Sequence, residues 1–345
     1  MKIEEEVMAP MELCSELWGA AHVIQRDPGY EIHQNVFCIP IGCSDPWGIY
    51  DQGGRIIRSA TDYRENNFSS HGQSLDHVIS APVQSRAHGV FIYGGKISNH
   101  YGHFLVNTLP RFWNILKIRT PNTPILCHGA GSPSDWFNIP FLAQSFAALG
   151  LSERDFVVFD APTVVDTLVV PRTSFQEQYA GHVVYGQLCR EISDRICPHA
   201  SLINDDRPIY YSKSQLVSAV GVIVNEGEID DVMRSEGVDI IYPERLSFPD
   251  QIKLMGSRRN IMGSSGSFLH TSLFCPDRNI TCLNVALQIN SNFSIIDKLS
   301  DNFATYHYSS EIQVLEKKEG FLTARYLPNA RECAYELLAI MKAKI

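Results

Sequence analysis

The chain has 345 residues, a formal net charge of −9 and a pI near 5.7. That balance argues against wrapping a nucleic-acid backbone, which calls for a basic stripe, so no nucleic acid is expected as a partner. A hydrophobic fraction of 44% and a mean hydropathy of −0.09 allow a sizeable core and exclude extensive disorder, and the length admits one large domain or two of ordinary size.

The chain opens on an acidic stretch, Met1 to Met8, without the basic and apolar parts of a signal peptide, and no apolar run reaches the ~18 residues of a membrane span. A cytoplasmic protein is expected. Nine irregularly spaced cysteines without a C-x-x-C pair fit free thiols in a reducing compartment. Three N-x-S/T sequons start at Asn67, Asn279 and Asn292, and without a secretory signal they read as chance.

From residue 31 to about 95 the pattern is short strands and turns. Val36-Phe37-Cys38-Ile39 is one strand, Gly48-Ile49-Tyr50 and Arg55-Ile56-Ile57 flank the hairpin turn Asp51-Gln52-Gly53-Gly54, and Val90-Phe91-Ile92-Tyr93 is another strand. Helix-like and strand-like segments then alternate, as in parallel sheets covered by helices. Strands are predicted at 124–127, 156–159 and 167–170, and helices at 139–149 and 181–196. A polar stretch with Asn204-Asp205-Asp206 follows.

The second half restarts the rhythm. Strands are predicted at 208–211, 239–242, 260–262 and 280–285, with helices at 225–236, 247–256, 267–274 and 329–342. The expected fold is therefore α/β and GT-B-like. It has two Rossmann-like domains facing a central cleft, with short β elements near the N-terminus. The boundaries are 1–178 for the first domain, 179–206 for a linker, 207–328 for the second domain and 329–345 for a C-terminal helix. Open α/β sheets bind ligands at the carboxyl ends of their strands.

The most unusual segment is His100-Tyr101-Gly102-His103-Phe104-Leu105-Val106-Asn107-Thr108-Leu109-Pro110-Arg111. Phe104, Leu105, Leu109, Phe112, Trp113 and Leu116 form an apolar helical stripe, while His103, Asn107 and Arg111 recur at i, i+4 and i+8 along one polar side. Pro110 should kink this helix and re-aim Arg111. His103 is suited to take a proton near neutral pH; the bland alternative is a capped core helix. His100 and His103 lack a clear third partner for zinc, so no metal site is expected.

In the second half, strand 260–262 runs into Gly263-Ser264-Ser265-Gly266-Ser267 and then an apolar helix containing His270. Such a loop offers backbone N–H groups and a helix dipole to an anion, or it is a tight turn of small residues. Upstream, Ser212 and Lys213 follow a strand, and Lys213 could reach a diphosphate. Asn225 and Glu228 fit a capping box. Glu226 has no such duty, and a carboxylate there can bind ribose hydroxyls.

Together these segments resemble glycosyltransferase family 61. Its first motif reads roughly N-Y-x-H-[FW]-L-x-[DE]-x-L-P-R, followed here over 100–111. Its second reads Y-I-S-R and then N-E-x-E, matched in part by 210–213 and 225–228. P-E-x-L-S-x-x-[ED]-Q corresponds to 243–251, with Glu244 and Gln251, and G-x-x-G-[SA]-x-L-[HT]-N-x-x-F to 263–274. The resemblance implies a GT-B fold, inversion at the anomeric carbon, no bound metal or other cofactor, and a nucleotide-sugar donor in the C-terminal domain. The first domain is then the acceptor side, for a glycan or lipid-linked glycan of bacterial surface polysaccharide, with peripheral association with the inner membrane. His103 and Asn107 are the expected catalytic residues. Tyr101, Arg111, Ser212, Lys213, Asn225, Glu226, Glu244, Gln251, Ser264, Ser265, Gly266, Ser267 and His270 are expected to bind substrate.

Three departures stand out. Asn107 occupies the position of the family's acid and cannot act as a base. Lys213 replaces an Arg, keeping the charge without bidentate contact. The basic run before Asn225 is missing, since 217–224 holds no Arg or Lys. These departures motivate an alternative reading, a non-catalytic member that binds a glycan or partner enzyme; a metal hydrolase built on His100 and His103 is the distant third.

Overall fold

The computed structural model describes residues 11–65, 67–68, 72–80, 85–198, 205, 207–217, 219–315 and 321–344. The fold is mixed α/β and divides into two compact units. Gly19–Ile196 form one; the segment ending at Trp18 joins Cys197–Ile345 in the other.

The first unit is built on six strands: β1 (Tyr30–Ile39), β2 (Gly48–Tyr50), β3 (Ser85–Ile97), β4 (Ile125–Gly129), β5 (Phe156–Val157) and β6 (Thr163–Pro171). Their order is β5-β4-β3-β6-β1-β2. The first four are mutually parallel, and β1 and β2 extend the sheet antiparallel. Alternation along β6 buries Val165, Leu168 and Val170 against Val36, Cys38, Phe91 and Tyr93. On the helical side α1 (Pro140–Ala148) contributes Phe146, whose ring lies 5.0 Å from Phe112 and 4.8 Å from Phe156. Each such buried aromatic contributes about 1.5–3 kcal/mol.

The 179–206 stretch expected as a linker is largely ordered within this unit. Ala180–His182 pairs in parallel with His22–Ile24, and α2 (Val183–Ile196) packs with Tyr185, Leu188, Cys189 and Ile192 buried. The unit boundary falls after Ile196.

The second unit carries β7 (Ile209–Tyr211), β8 (Asp239–Ile241), β9 (Asn260–Ser264), β10 (Asn279–Leu283) and β11 (Phe303–Tyr308), all parallel in the order β8-β7-β9-β10-β11. Taken by chain position that order is 2-1-3-4-5, one of the two common doubly wound arrangements. Helices α3 (Gly227–Ser235), α4 (Phe248–Ser257), α5 (Ser291–Leu299) and α6 (Ala330–Lys342) belong to the same unit. Ser247 caps α4, its Oγ accepting from the Asp250 N–H at 3.3 Å.

Two boundaries differ from the sequence-based expectation. The N-terminal segment belongs to the second unit, because Glu12–Leu13 pairs antiparallel with β11 and Glu16–Trp18 pairs in parallel with Gln288–Asn290. Strands of two and three residues carry no periodicity that a sequence reading can detect. The C-terminal helix is not an appendage: Cys333, Ala334, Leu337 and Met341 of α6 share one core with Ile229, Val232 and Met233 of α3. Of the three sequons, the one at Asn67 extends outside the described residues; Asn292 is buried in α5, and Asn279 donates to Asn260 from β10. Among the described residues no helix is long and apolar enough to cross a membrane.

Candidate functional site

Two polar clusters lie where the sheet topology favours ligands, one in each unit. In the first, β3 leads into the helical stretch carrying His103, and β6 leads through a turn to Glu177. β3 and β6 are parallel neighbours. From β3 the chain steps outward to β4 and β5, then returns to β6 on the other side, so both residues lie beyond carboxyl ends at a reversal of strand order.

The His103 stretch is not one regular helix. An α turn (Tyr101–His103) passes into a π turn (Phe104–Thr108) and a 3-10 turn (Leu109–Phe112) containing Pro110, before a last α turn at Ile115–Ile118. His103 and Asn107 stay on one side, with Nδ1 3.1 Å from the Asn107 Oδ1. Arg111 does not. It falls in the 3-10 turn that begins at Leu109, beyond the π turn that holds Asn107.

Arg111 is 2% exposed and serves the fold rather than a substrate. Its Nη1 donates to the Ser59 and Pro171 carbonyls and its Nη2 to Thr61, with Asp62 at 3.5 Å. Gly95 makes room for it. At φ +78° a Cβ would lie 2.6 Å from the Arg111 Cδ. Tyr101 is half-buried, edge-on to Phe141 at 5.3 Å.

Glu177 is the residue that sequence reasoning missed here. Its carboxylate is buried; Oε1 accepts from the Asn107 amide at 2.6 Å and lies 4.0 Å from the His103 Nδ1, while Oε2 accepts from Arg64 at 2.9 Å. The acid absent at position 107 thus stands one hydrogen bond further on, 70 residues along the chain. The His103 side chain is 48% exposed. His100 lies 5.1 Å away ring to ring, and burial together with His103 pushes its pKa down. Among the described residues no three His, Cys, Asp or Glu side chains are grouped to hold a metal ion.

In the second unit β7 and β9 flank the point where strand order reverses. Lys213 follows β7, while β9 runs two residues further than expected, through Gly263 and Ser264, so that 265–267 alone form the loop; the two meet, Nζ donating to the Ser265 carbonyl at 2.8 Å and to Gly221 at 3.1 Å. A Cβ on Gly266 would lie 3.3 Å from the Lys213 Cδ. Two of the three ammonium hydrogens are therefore committed to the backbone. Burial pushes the Lys213 pKa down, and the Glu226 carboxylate draws it back up. The helix after the loop is only Phe268–Thr271, continued by a 3-10 turn, too short to add much dipole. The Ser265 N–H is given to the Leu283 carbonyl and its own carbonyl to Lys213, so any affinity for an anion rests on Lys213, on the Ser265 and Ser267 hydroxyls and on the backbone of Gly266 and Ser267.

Behind them lies a buried polar network. Glu226 is 0% exposed; its Oε1 accepts from Tyr210 at 2.9 Å and from Ser264 at 2.6 Å, and its Oε2 is buried without a hydrogen-bond partner. Burial raises its pKa, opposed by Lys213 and by those two hydroxyls. Ser212, also 0% exposed, donates to Asp230 at 3.0 Å, and Ser214 and Tyr242 donate to the same Asp230 oxygen. Glu226 and Ser212 therefore line the floor under Lys213 rather than an open surface.

Several expected binding residues have structural work instead. Asn225 does not cap α3. Its amide donates to Glu228 and to the Leu327 carbonyl and accepts from the Leu327 N–H, tying α3 to the approach to α6. Gln251 donates to the Pro243 and Leu246 carbonyls and closes the turn that carries exposed Glu244. His270 packs 5.4 Å from Phe293. A second missed residue is Arg325. Phe321–Tyr326 runs parallel to Ala219–Ile223, and the Arg325 Nη1 lies 3.1 Å from the point a Cβ on Gly221 would occupy. A cation thus lies beside 217–224, which hold none of their own, from about a hundred residues away. Neither Glu177 nor Arg325 sits in a motif, so only long-range pairing could have revealed them.

Residues 101–282, more than half of the chain, match the family model described as Glycosyltransferase 61. The match spans His103, Glu177, Lys213 and the 265–267 loop; Arg325 lies beyond it. No curated protein matches the chain.

Proposed function

We propose, from the premise that this chain belongs to glycosyltransferase family 61 and is a glycosyltransferase, that it transfers a sugar from a nucleotide-sugar donor with inversion and without a metal. The reading assigns acceptor activation to the first unit and donor binding to the second, the division of labour of a GT-B enzyme. His103 Nε2 takes the proton of an acceptor hydroxyl as that oxygen attacks the anomeric carbon. The bond from that carbon to the nucleoside diphosphate breaks, and the leaving diphosphate carries its charge to Lys213 and the 265–267 loop. The acceptor is a glycan or lipid-linked glycan, met in the cytoplasm at the inner face of the membrane.

The observation that carries this reading is the meeting of Lys213 with the 265–267 loop at the strand-order reversal of a parallel five-stranded array. Doubly wound sheets hold nucleotides at that point. The test is a thermal-shift and calorimetric screen of the full chain against nucleotide sugars and nucleoside diphosphates, followed by product analysis with excess chelator. A ligand at a hundred times its Kd raises stability by about 2.7 kcal/mol. If no nucleotide or nucleotide sugar shifts the melt, donor binding is wrong. Binding without turnover on any glycan or lipid-linked acceptor favours the non-catalytic reading. Loss of transfer with chelator, restored by Mg²⁺ or Mn²⁺, removes metal independence.

A further inference from the structure

The His103 cluster carries one inference beyond the role of His103, and it rests on that role. An ionised carboxylate only accepts hydrogen bonds, whereas an amide has a donor end and an acceptor end. Glu177 Oε1 therefore has to face the Asn107 Nδ2, and it does so at 2.6 Å. The Asn107 Oδ1 is then turned to His103, 3.1 Å from Nδ1, and an oxygen acceptor there requires the imidazole proton on Nδ1. The remaining nitrogen, Nε2, is left bare. Arg64 engages the other Glu177 oxygen at 2.9 Å and leaves Oε1 to the amide.

We infer that Glu177 is the positioning residue of His103: acting through the Asn107 amide, it sets the imidazole tautomer in which Nε2 is the proton acceptor. Glu177 touches neither substrate nor reacting atom. As Nε2 takes the hydroxyl proton, the ring becomes an imidazolium, its Nδ1–H stays on the Asn107 oxygen, and the Glu177 carboxylate 4.0 Å from Nδ1 stabilises the new charge. No proton passes through the amide. This accounts for the asparagine at position 107. An aspartate there would place a second carboxylate at hydrogen-bond distance from Glu177 with no proton between them.

The full chain, labelled with ¹⁵N-histidine and assigned by comparison with His103→Gln, tests this by long-range ¹H–¹⁵N correlation under conditions where the ring is neutral. Wild type should show His103 protonated on Nδ1. Glu177→Gln should lose that preference, because a glutamine can offer Asn107 either end of its own amide. Arg64→Gln breaks the same ion pair but leaves Oε1 on Asn107, and it should keep the wild-type tautomer. The double variant Asn107→Asp with Glu177→Gln moves the carboxylate next to Nδ1 and should restore the preference. Turnover of a nucleotide sugar should fall about 10-fold or more in kcat for Glu177→Gln with KM little changed, since a misplaced tautomer forfeits part of the contribution of the base.

Wild-type His103 protonated on Nε2 overturns the inference without recourse to any variant. An unchanged tautomer in Glu177→Gln also overturns it. Full turnover in His103→Ala would instead remove the base assignment, while the tautomer measurement still decides the role of Glu177.

Discussion

The two clusters solve one problem in opposite ways. Around His103 the imidazole is half exposed, and Glu177, the acid joined to it through Asn107, is buried. Around Lys213 the charged atom itself is drawn in, tied to two carbonyls, with a fully buried carboxylate beneath it. The first cluster has an atom left over for chemistry. The second has one remaining ammonium hydrogen and a floor of protein groups, which suits holding a charge rather than moving a proton. Each cluster also makes good a gap in its motif from a distant segment, Glu177 for the acid absent at 107 and Arg325 for the cations absent from 217–224.

The sharpest way to break this contrast is His103→Ala. Loss of a general base costs roughly 10²–10⁴ in kcat, and nucleotide affinity should stay near wild type because the nucleotide is assigned to the other unit. A variant with normal kcat and weakened nucleotide binding would reverse the two roles. Arg111 supplies the counter-example within the same motif. Arg111→Ala leaves the Ser59, Thr61 and Pro171 carbonyls and Asp62 without their buried partner, which should cost about 3–5 kcal/mol of stability. Urea unfolding checks this; a stable variant with impaired acceptor binding would return Arg111 to the site.

Those two residues also mark what the sequence made legible. Short apolar runs located the strands from β1 to β10, because a parallel sheet covered on both faces buries consecutive side chains, as along Ile209–Tyr211 and Asn260–Ser264. The i, i+4 relation of His103 and Asn107 survived, since a π turn keeps them on one side. The i+8 extension to Arg111 failed, because its guanidinium is taken up by the Ser59, Thr61 and Pro171 carbonyls, partners that spacing along one segment does not reveal. Strand β11 and helix α5 escaped notice because Phe303-Ala304-Thr305-Tyr306-His307-Tyr308 is too polar to look like a core strand. Asn225 and Gln251 were read as binding groups because a motif position does not reveal its hydrogen-bond partners; Leu327 lies 102 residues from Asn225.

Next in size are the cations of the second cluster. Lys213→Met removes a charge-assisted contact of about 1.5–3 kcal/mol, or roughly 10- to 150-fold in affinity. The loss should fall on a nucleoside diphosphate and spare the bare nucleoside. Arg325→Ala should show the same selectivity with a smaller loss, because its guanidinium lies beside Gly221, whereas Lys213 also reaches Ser265. Calorimetry with both ligands decides it: equal losses for diphosphate and nucleoside would mean that neither cation meets the phosphates.

The smallest effect concerns the carboxylate under Lys213. Burial holds the Glu226 pKa above its ordinary value of 4.5, with Lys213, Ser264 and Tyr210 only partly offsetting it. A raised folded-state pKa means that the folded chain keeps a proton the unfolded chain has already released. Its contribution to stability is complete below 4.5 and is lost as pH rises through the raised value. Lys213 has the opposite slope. Its folded pKa is lowered by burial, so its contribution is complete above 10.5 and is lost as pH falls through that lowered value. Glu226→Gln removes the first slope. The variant places an amide nitrogen where Oε2 is already unpartnered, a penalty that does not depend on pH. Relative to wild type it should therefore gain stability as pH rises from 4.5 toward neutrality, whatever its absolute stability. Chemical denaturation at a series of pH values reads that difference. A wild-type minus variant difference that stays flat over this range would show that Glu226 ionises alike in the folded and unfolded chain, against the raised pKa.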